Sequence, residues 1–462
     1  VIADIHPFDR ILIANRGEIA LRIQRACRQL GLACVQAYSS ADAGAPYVRC
    51  ADEAICIGPA PSRQSYLSSA AILLAARASG ARAVHPGYGF LSENADFAAR
   101  LEAAGMTLIG PTSDAMRVLG DKISAKRAMI SSGVPCVPGY EGALAADDAA
   151  LAIASDLGYP LIIKAAGGGG GRGMRVVHNP EELLGAIRIT REEAERAFAN
   201  ANVYMERYLQ RPRHVEIQVL CDHHGNGVWL GARDCSTQRR HQKVIEEAPA
   251  PNVDPALIAR VGKLCVDACR QIGYRGLGTF EFLHEDGELF FIEMNTRLQV
   301  EHTITEMTSG LDLVELQIRV AQGERLPFTQ EEVEVSGHSI ECRINAEDPT
   351  TFVPSPGTVE FFHAPGGPGI RVDSHVSSGY AIPSHYDSMI AKVITWGKTR
   401  EQAIVRMEGA LREMKIEGVK SNIPLHRDVL QSSEFRRGGM SIHFLERMLD
   451  DRRRSQGANK QA

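Results

Sequence analysis

The chain reads as an α/β protein of two or three domains, with α+β stretches, and three features predict this. At 462 residues it is too long for one ordinary core. It opens on a β-α-β pattern, and from about Gly337 it becomes strand-rich before a helix over 400–414 and a short one over 443–449.

The opening unit is the clearest. Arg10–Asn15 (RILIAN) is an apolar run of strand length, and Glu18–Gln29 sets Ile19, Ile23 and Ala26 at helical spacing before Gly31. A second strand follows over Ala33–Tyr38. The turn between strand and helix, Asn15-Arg16-Gly17, is not G-x-G-x-x-G, so the unit is Rossmann-like without a dinucleotide site. A helix near Tyr66–Ser79, a strand at Ala83–His85, a Gly-rich turn over His85–Gly89 and a strand at Thr107–Ile109 continue the alternation. A boundary near Pro111–Asp121 divides a first unit (1–115) from a middle one (126–322); a third spans 338–448, and the polar tail 451–462 is expected to lack structure. There is no internal repeat and no heptad array.

Composition narrows the function class. The formal net charge of −5 gives no general attraction to nucleic acid or anionic membranes. No apolar run spans a bilayer, and the N-terminus lacks the pattern of a secretory signal, which points to the cytoplasm. None of the ten cysteines forms a C-x-x-C pair; reduced, buried thiols are the expectation, and Cys265 with Cys269 at i, i+4 spacing is a weak zinc alternative.

Tyr159–Val177 (YPLIIKAAGGGGGRGMRVV) joins two strand-like runs through five glycines, the first run ending in Lys164. A flexible linker is one reading. A phosphate-binding loop is the other: without Cβ atoms, backbone N–H groups approach an anion closely, and Lys164 adds a cation. A strand follows the loop, which rejects the Rossmann fingerprint, and no G-K-[ST] appears, which rejects a P-loop.

Gly278–Asn295 (GTFEFLHEDGELFFIEMN) reads as a hairpin. A three-residue loop, Glu285-Asp286-Gly287, places Phe280, Phe282, Phe290, Ile292 and Met294 on one face and Glu281, Glu293 and Asn295 on the other. Two carboxylates and an amide oxygen suit Mg²⁺ carrying nucleotide phosphates; a solvated outer face is the alternative. If the next segment is extended, Arg297, Gln299 and Glu301 share a side, offering a cation, a donor and a base to a small oxyanion. Arg297 and Glu301 could instead pair with each other. The charge-dense stretch Arg233–Glu247 is a solvated loop by default, or an anion-binding loop through His241 and Lys243. Glu341, Arg343 and Asn345 fall on one face of a strand, where a buried ion pair is the plain alternative.

Six segments together resemble biotin carboxylase: HPGYGFLSEN (85–94), IIKAAGGGGGRGMR, RHVEIQVL (213–220), RRHQK (239–243), FIEMNTRLQVEH (291–302) and ECRINAEDP (341–349). The resemblance runs from about Phe8 to about Leu449. It implies an ATP-grasp fold with an N-terminal Rossmann-like domain, a mobile Gly-rich lid at about 137–208 and a strand-rich C-terminal domain. It also implies ATP, Mg²⁺ (Mn²⁺ as a substitute, two ions) and bicarbonate, with biotin as a substrate.

Carried over residue by residue, Lys122, Lys164, Gly170, Gly171, Met174 and His214 would contact or close over the ATP phosphates. Glu206, Arg207, Tyr208 and Leu209 would hold adenine, with Gln238, His241 and Leu283 also in the nucleotide site. Glu281, Glu293 and Asn295 would carry the metal. Lys243, Arg297, Gln299 and Val300 would bind bicarbonate, Glu301 would deprotonate it, and Arg343 with Tyr88 would serve biotin. The implied route attacks the γ-phosphorus with a bicarbonate oxygen; carboxyphosphate then gives CO₂ and phosphate, the phosphate takes the biotin N1 proton, and the enolate attacks CO₂.

The resemblance further implies a homodimer working with a biotin carboxyl carrier protein and carboxyltransferase subunits, as in acetyl-CoA carboxylase and malonyl-CoA formation for fatty-acid synthesis. The chain departs from the family at Arg207 (usually Lys), at Thr303 (usually Pro), and at Pro368 and Gln29, which in some relatives are an aromatic and an acid at the dimer interface. Glu413-Met414-Lys415-Ile416 is the nearest approach to a biotinylation motif, but it lies in a helical pattern, so biotin is expected on another polypeptide. Three other readings are the biotin carboxylase subunit of another acyl-CoA or 2-oxo acid carboxylase, a different ATP-grasp ligase, and a catalytically silent nucleotide-binding subunit.

Overall fold

The computed structural model describes residues 8–140, 147–165, 173–198 and 200–459. The first part is a parallel sheet of β1 (Arg10–Ile13), β2 (Ala33–Ser39), β3 (Glu53–Gly58), β4 (Ala83–His85) and β5 (Thr107–Leu108) in the order β3-β2-β1-β4-β5. Helices α1 (Glu18–Gln29), α2 (Pro46–Cys50), α3 (Ser69–Ala78) and α4 (Ala95–Ala103) connect or flank the strands. Ile11, Leu12 and Ile13 are all fully buried because both sheet faces are covered, which is why β1 reads as an unbroken apolar run. The expected helix over 66–79 starts later, at Ser69, because the Ser68 side chain caps it by accepting from the Ala71 N–H.

Strand order reverses between β1 and β4, and their C-terminal ends open the crevice where such sheets take ligands. Asn15 bridges the two ends, donating 2.7 Å bonds to the carbonyls of Pro86 and Tyr88. Gly87 is obligatory in that turn: its φ is +61°, and an added Cβ would stand 2.8 Å from the Asn15 amide nitrogen.

After α5 (Ser113–Gly120) and α6 (Lys122–Ser131) comes a small layer in which α7 (Asp147–Leu157) and α8 (Pro180–Phe198) accompany an antiparallel sheet. Its strands are β6 (Leu161–Ala165), β7 (Met174–Val177) and β8 (Val203–Arg207), in the order β7-β6-β8. The strands flanking the pentaglycine run therefore form as expected; the run itself lies outside the described residues.

The main sheet has eight strands. It contains β9 (Arg213–Cys221), β10 (Gly227–Arg239), β11 (Gln242–Ala248), β12 (Gly276–Glu285), β13 (Glu288–Asn295) and β14 (His338–Asn345). Two short ribbons follow, β15 (Gly357–Thr358) with a later strand β18 (Ala381–Ile382), and β16 (Phe361–His363) with β20 (Lys415–Glu417); between them β17 (Ile370–Ser374) and β19 (Met389–Gly397) complete the main sheet. Its order is β13-β12-β9-β10-β11-β14-β19-β17, so the strand-rich C-terminal stretch extends a sheet begun in the middle of the chain.

Helix α9 (Pro255–Ile272) covers one face, and Cys221, Cys265 and Cys269 sit with Phe280 and Phe282 in that core. Burial pushes the Cys265 and Cys269 thiols well above their usual range, as expected of inert core thiols; no cysteine is in a disulfide, but Cys50 and Cys56 are exposed and Cys136 only part-buried, against the expectation that all are buried. On the other side lie α10 (His302–Ser309) and α11 (Leu313–Ala321). The chain closes with α12 (Arg400–Glu413), α13 (Ile423–Gln431), α14 (Ser433–Arg437) and α15 (Phe444–Asn459). Among the described residues no helix is long and apolar enough to cross a membrane.

Three expectations are corrected. Arg233–Glu247 is not a solvated loop but the β10–β11 hairpin, with Arg233 and Asp234 about 1–2% exposed. The tail does not lose structure at Asp451: α15 runs on to Asn459, anchored by buried Phe444 and Leu445 and by an Arg452–Asp428 pair at 2.7 Å. Lys415 lies not in a helix but in β20, opposite His363, because α12 ends at Glu413.

Candidate active site

The three parts of the fold enclose one large cavity of about 1460 Å³. Every described residue assigned a role from the sequence lines it: Tyr88, Lys122, Lys164, Met174, Glu206 to Leu209, His214, Gln238, His241, Lys243, Glu281, Leu283, Glu293, Asn295, Arg297, Gln299, Val300, Glu301 and Arg343. Gly170 and Gly171 lie outside the described residues.

The β12–β13 hairpin puts Glu281 and Glu293 on one face, as the pattern predicts, but by another route that sets them directly opposite each other. The loop is the two-residue turn Asp286-Gly287, both residues at positive φ (52° and 79°). The register is restored by a bulge at Ile292, between the pairs Glu281–Glu293 and Phe282–Phe291. The extra residue reverses the facing of the β13 residues nearer the turn. Phe291, not Phe290, joins Phe280 and Phe282 in the core; Phe290 packs with Val137 and Leu209, and Ile292 lines the cavity.

Glu281 also pairs across β9 with Glu216, which in turn faces Arg233 on β10, so a row of ionised groups crosses four strands. Lys243 neutralises its centre. Its ammonium bonds Glu281 at 2.9 Å, Glu301 at 2.7 Å and, more tightly, Glu216. Burial penalises these carboxylates, yet the adjacent Lys243 wins, holding Glu216 at about 2 and Glu281 well below the usual range. His214 Nε2 stands 3.2 Å from both Glu216 and Glu281. Burial opposes its cation, but the two carboxylates outweigh burial and raise it to about 10.

Glu293 differs: burial and then the charge of Glu281 raise it above the usual carboxylate range. Two facing acids, one of them destabilised as an anion, fit a divalent cation that would relieve the repulsion. Asn295 turns its nitrogen toward Glu281 (2.7 Å) while its oxygen accepts from Arg297 at 2.8 Å, so it offers an oxygen ligand only once Arg297 lets go.

Arg297 and Glu301 do not pair with each other. Arg297 is held by Glu93 at 2.8 Å. Glu301, 2% exposed at the start of α10, takes Lys243 on one oxygen and Arg343 (2.9 Å) on the other. Burial opposes its charge, but Lys243 and Arg343 hold it near 2. Arg343 is shared with Glu246 at 2.5 Å, so the plain ion-pair reading and the cavity-lining one are both met. Elsewhere in the cavity Glu206 binds Lys164 (2.6 Å) and Lys126 (2.8 Å).

A biotin carboxylase of Haemophilus influenzae is 59% identical over 442 residues, covering 96% of this chain and 99% of that one. This chain belongs to the biotin carboxylase family. The biotin carboxylase N-terminal domain matches residues 7–116, the carbamoyl-phosphate synthase L chain ATP binding domain 121–329, and the biotin carboxylase C-terminal domain 341–447. A pyruvate carboxylase subunit of Methanothermobacter thermautotrophicus is 52% identical, covering 95% of this chain and 90% of that one. The solved biotin carboxylase domain dimer of Hydrogenobacter thermophilus 2-oxoglutarate carboxylase, in complex with MgADP, ADP and bicarbonate, superposes with a TM-score of 0.88 at 46% identity, covering 96% and 98% of the two chains. As a member of the biotin carboxylase family the chain is an ATP-dependent ligase of ATP-grasp fold.

Sequence reasoning missed Glu216 and Arg233. Arg233, fully buried, donates to Glu216, to Gln218 (2.7 Å), to Thr305 (3.0 Å) and to Gln299. The signal for Glu216 was present: it lies two residues after His214, on the same face of β9. Thr303, where biotin carboxylases usually have Pro, uses its hydroxyl to donate to buried Glu341.

Proposed function

We propose that this chain carboxylates biotin with bicarbonate at the expense of ATP, the biotin arriving on a separate carrier protein. We take the reaction to be the first half of acetyl-CoA carboxylase, with carboxyltransferase subunits completing it. The similarity to a curated biotin carboxylase supports this over a pyruvate carboxylase role. One observation carries the reading: the facing acids Glu281 and Glu293 open into the same cavity as Arg297, Gln299, Glu301 and Arg343.

The division of labour follows from position. Lys122, Lys164, Met174 and His214 face the phosphates, and Glu206 to Leu209 the adenine. Glu281 and Glu293, with Asn295 after Arg297 turns away, would hold Mg²⁺, which when bound neutralises phosphate oxygens. Lys243, Arg297 and Gln299 orient bicarbonate beside Glu301.

In the state described Glu301 is too acidic to be a base, being held by two cations. Those cations are the ones an anion recruits; as they turn to bicarbonate, Glu301 regains basicity and takes its proton. Arg343, released by the same change, stands ready for the negative charge that develops on biotin. Residues 1–115 and 338–448 supply the biotin side of the cavity through Tyr88 and Arg343, the middle unit supplies nucleotide and metal ligands, and two copies form a dimer.

The test is ATP cleavage by the purified chain. The expected result is hydrolysis that requires Mg²⁺ and bicarbonate and rises with free biotin. Turnover driven by an amino acid without a biotin response would replace this reading with another ligase, and no turnover would leave a silent nucleotide-binding subunit.

A further inference from the structure

We propose that Lys392 is a positioning residue for the bicarbonate base Glu301, acting through the Val300 carbonyl; this rests on the functional reading above. Lys392 lies in the middle of β19 and its side chain is completely buried. A buried ammonium is costly unless its hydrogens are taken. The acid directly opposite it on β17, Asp373, is already engaged by Arg371 through bonds of 3.0 and 2.7 Å. Lys392 reaches elsewhere. It donates to the Val300 carbonyl at 2.8 Å and stands 3.2 Å from Glu18, which itself accepts from the Tyr88 hydroxyl.

The Val300 carbonyl belongs to the same planar peptide unit as the Glu301 nitrogen, so fixing one fixes the other. Lys392 is also the direct cross-strand neighbour of Arg343, on the same face of the sheet. Arg343 holds the Glu301 carboxylate at 2.9 Å while Lys392 holds the peptide behind it. Two adjacent cations on one sheet face thus grip Glu301 at both ends.

The experiment compares Glu18→Gln, Lys392→Met and the double variant, reading ATP cleavage without biotin and amide exchange over 298–303. The double variant removes the ion pair without stranding a buried carboxylate, so it folds where the single lysine variant does not. In it, kcat/KM for bicarbonate falls on the order of 10²-fold with KM for ATP unchanged, as for a misplaced reacting group. The Glu301 amide exchanges about tenfold faster, and Glu18→Gln alone changes neither. Wild-type behaviour of the double variant, an equal loss in Glu18→Gln alone, or a parallel rise in KM for ATP would overturn the proposal. If the wild type shows no bicarbonate-dependent cleavage, the functional reading fails, and amide exchange still decides the role of Lys392.

Discussion

Glu301 is the base of the proposed reaction, and two cations converge on its carboxylate, which is 2% exposed. Replacing it with Gln keeps the size and one acceptor but removes the base, so bicarbonate-dependent ATP cleavage should fall on the order of 10²-fold or more. Unchanged turnover in a steady-state assay would take Glu301 out of the mechanism. Glu341, on the same strand as Arg343, is the opposite case. Burial, with repulsion from Glu246, raises it to about 8 against the pull of Lys392 and Arg343. Its folded pKa lies above the unfolded value of roughly 4.3, so between those limits the native state holds a proton that the unfolded chain has released. Stability should therefore decline as pH rises through that window and level off above it. Glu341→Gln, which still accepts from Thr303, should flatten melting temperature against pH between 5 and 8.5; parallel curves for parent and variant would rule this out.

A regular hairpin with the same two-residue turn would misalign the acids of β12 and β13; the bulge at Ile292 aligns them. Glu293→Gln keeps that bulge and the pairing but removes one of the two facing carboxylates. The Mg²⁺ concentration for half-maximal ATP cleavage should then rise on the order of 10²-fold, with the far-ultraviolet spectrum preserved. An unchanged Mg²⁺ requirement would mean that Glu293 is not a ligand. The expected three-residue loop is a two-residue turn, Asp286-Gly287, yet the common facing of Glu281 and Glu293 was legible because a two-residue period is a local signal. The bulge was not, because the facing of Phe290 is decided by Leu209 and Val137, far away in sequence. The β10–β11 hairpin escaped for a similar reason. A stretch with so many charges reads as solvated until Glu216, Gln218 and Gln299, from other segments, are seen around Arg233.

At the scale of the molecule, the motifs scattered along the chain show which residues meet but not how the first and last parts are joined. That junction combines a shared apolar core with a largely buried ionic cluster, and none of the cluster's members stands in a motif with a local signature. Glu306 of α10 accepts from Arg22 of α1 at 2.7 Å and from Arg371 of β17 at 2.6 Å, and also caps the Leu313 amide at 2.8 Å. One carboxylate, 6% exposed, therefore ties an N-terminal helix, the helix behind Glu301 and the edge strand of the main sheet. Arg22 keeps Asp312 if Glu306 is lost, and Arg371 keeps Asp373, so neither cation is wholly stranded. Each nevertheless loses a partner, Arg22 where it is buried and Arg371 where it is part-buried, and the Leu313 amide loses its acceptor. Glu306→Ala should cost about 3–5 kcal/mol, the range for breaking a buried ion pair from one side. Differential scanning calorimetry should show the transition several degrees lower, with KM for ATP and bicarbonate unchanged at temperatures where the variant is folded. A transition at the parental temperature would show that packing, not this carboxylate, holds the parts together. A raised KM at low temperature would show that the junction also sets the geometry of the site, since α10 starts directly after Glu301.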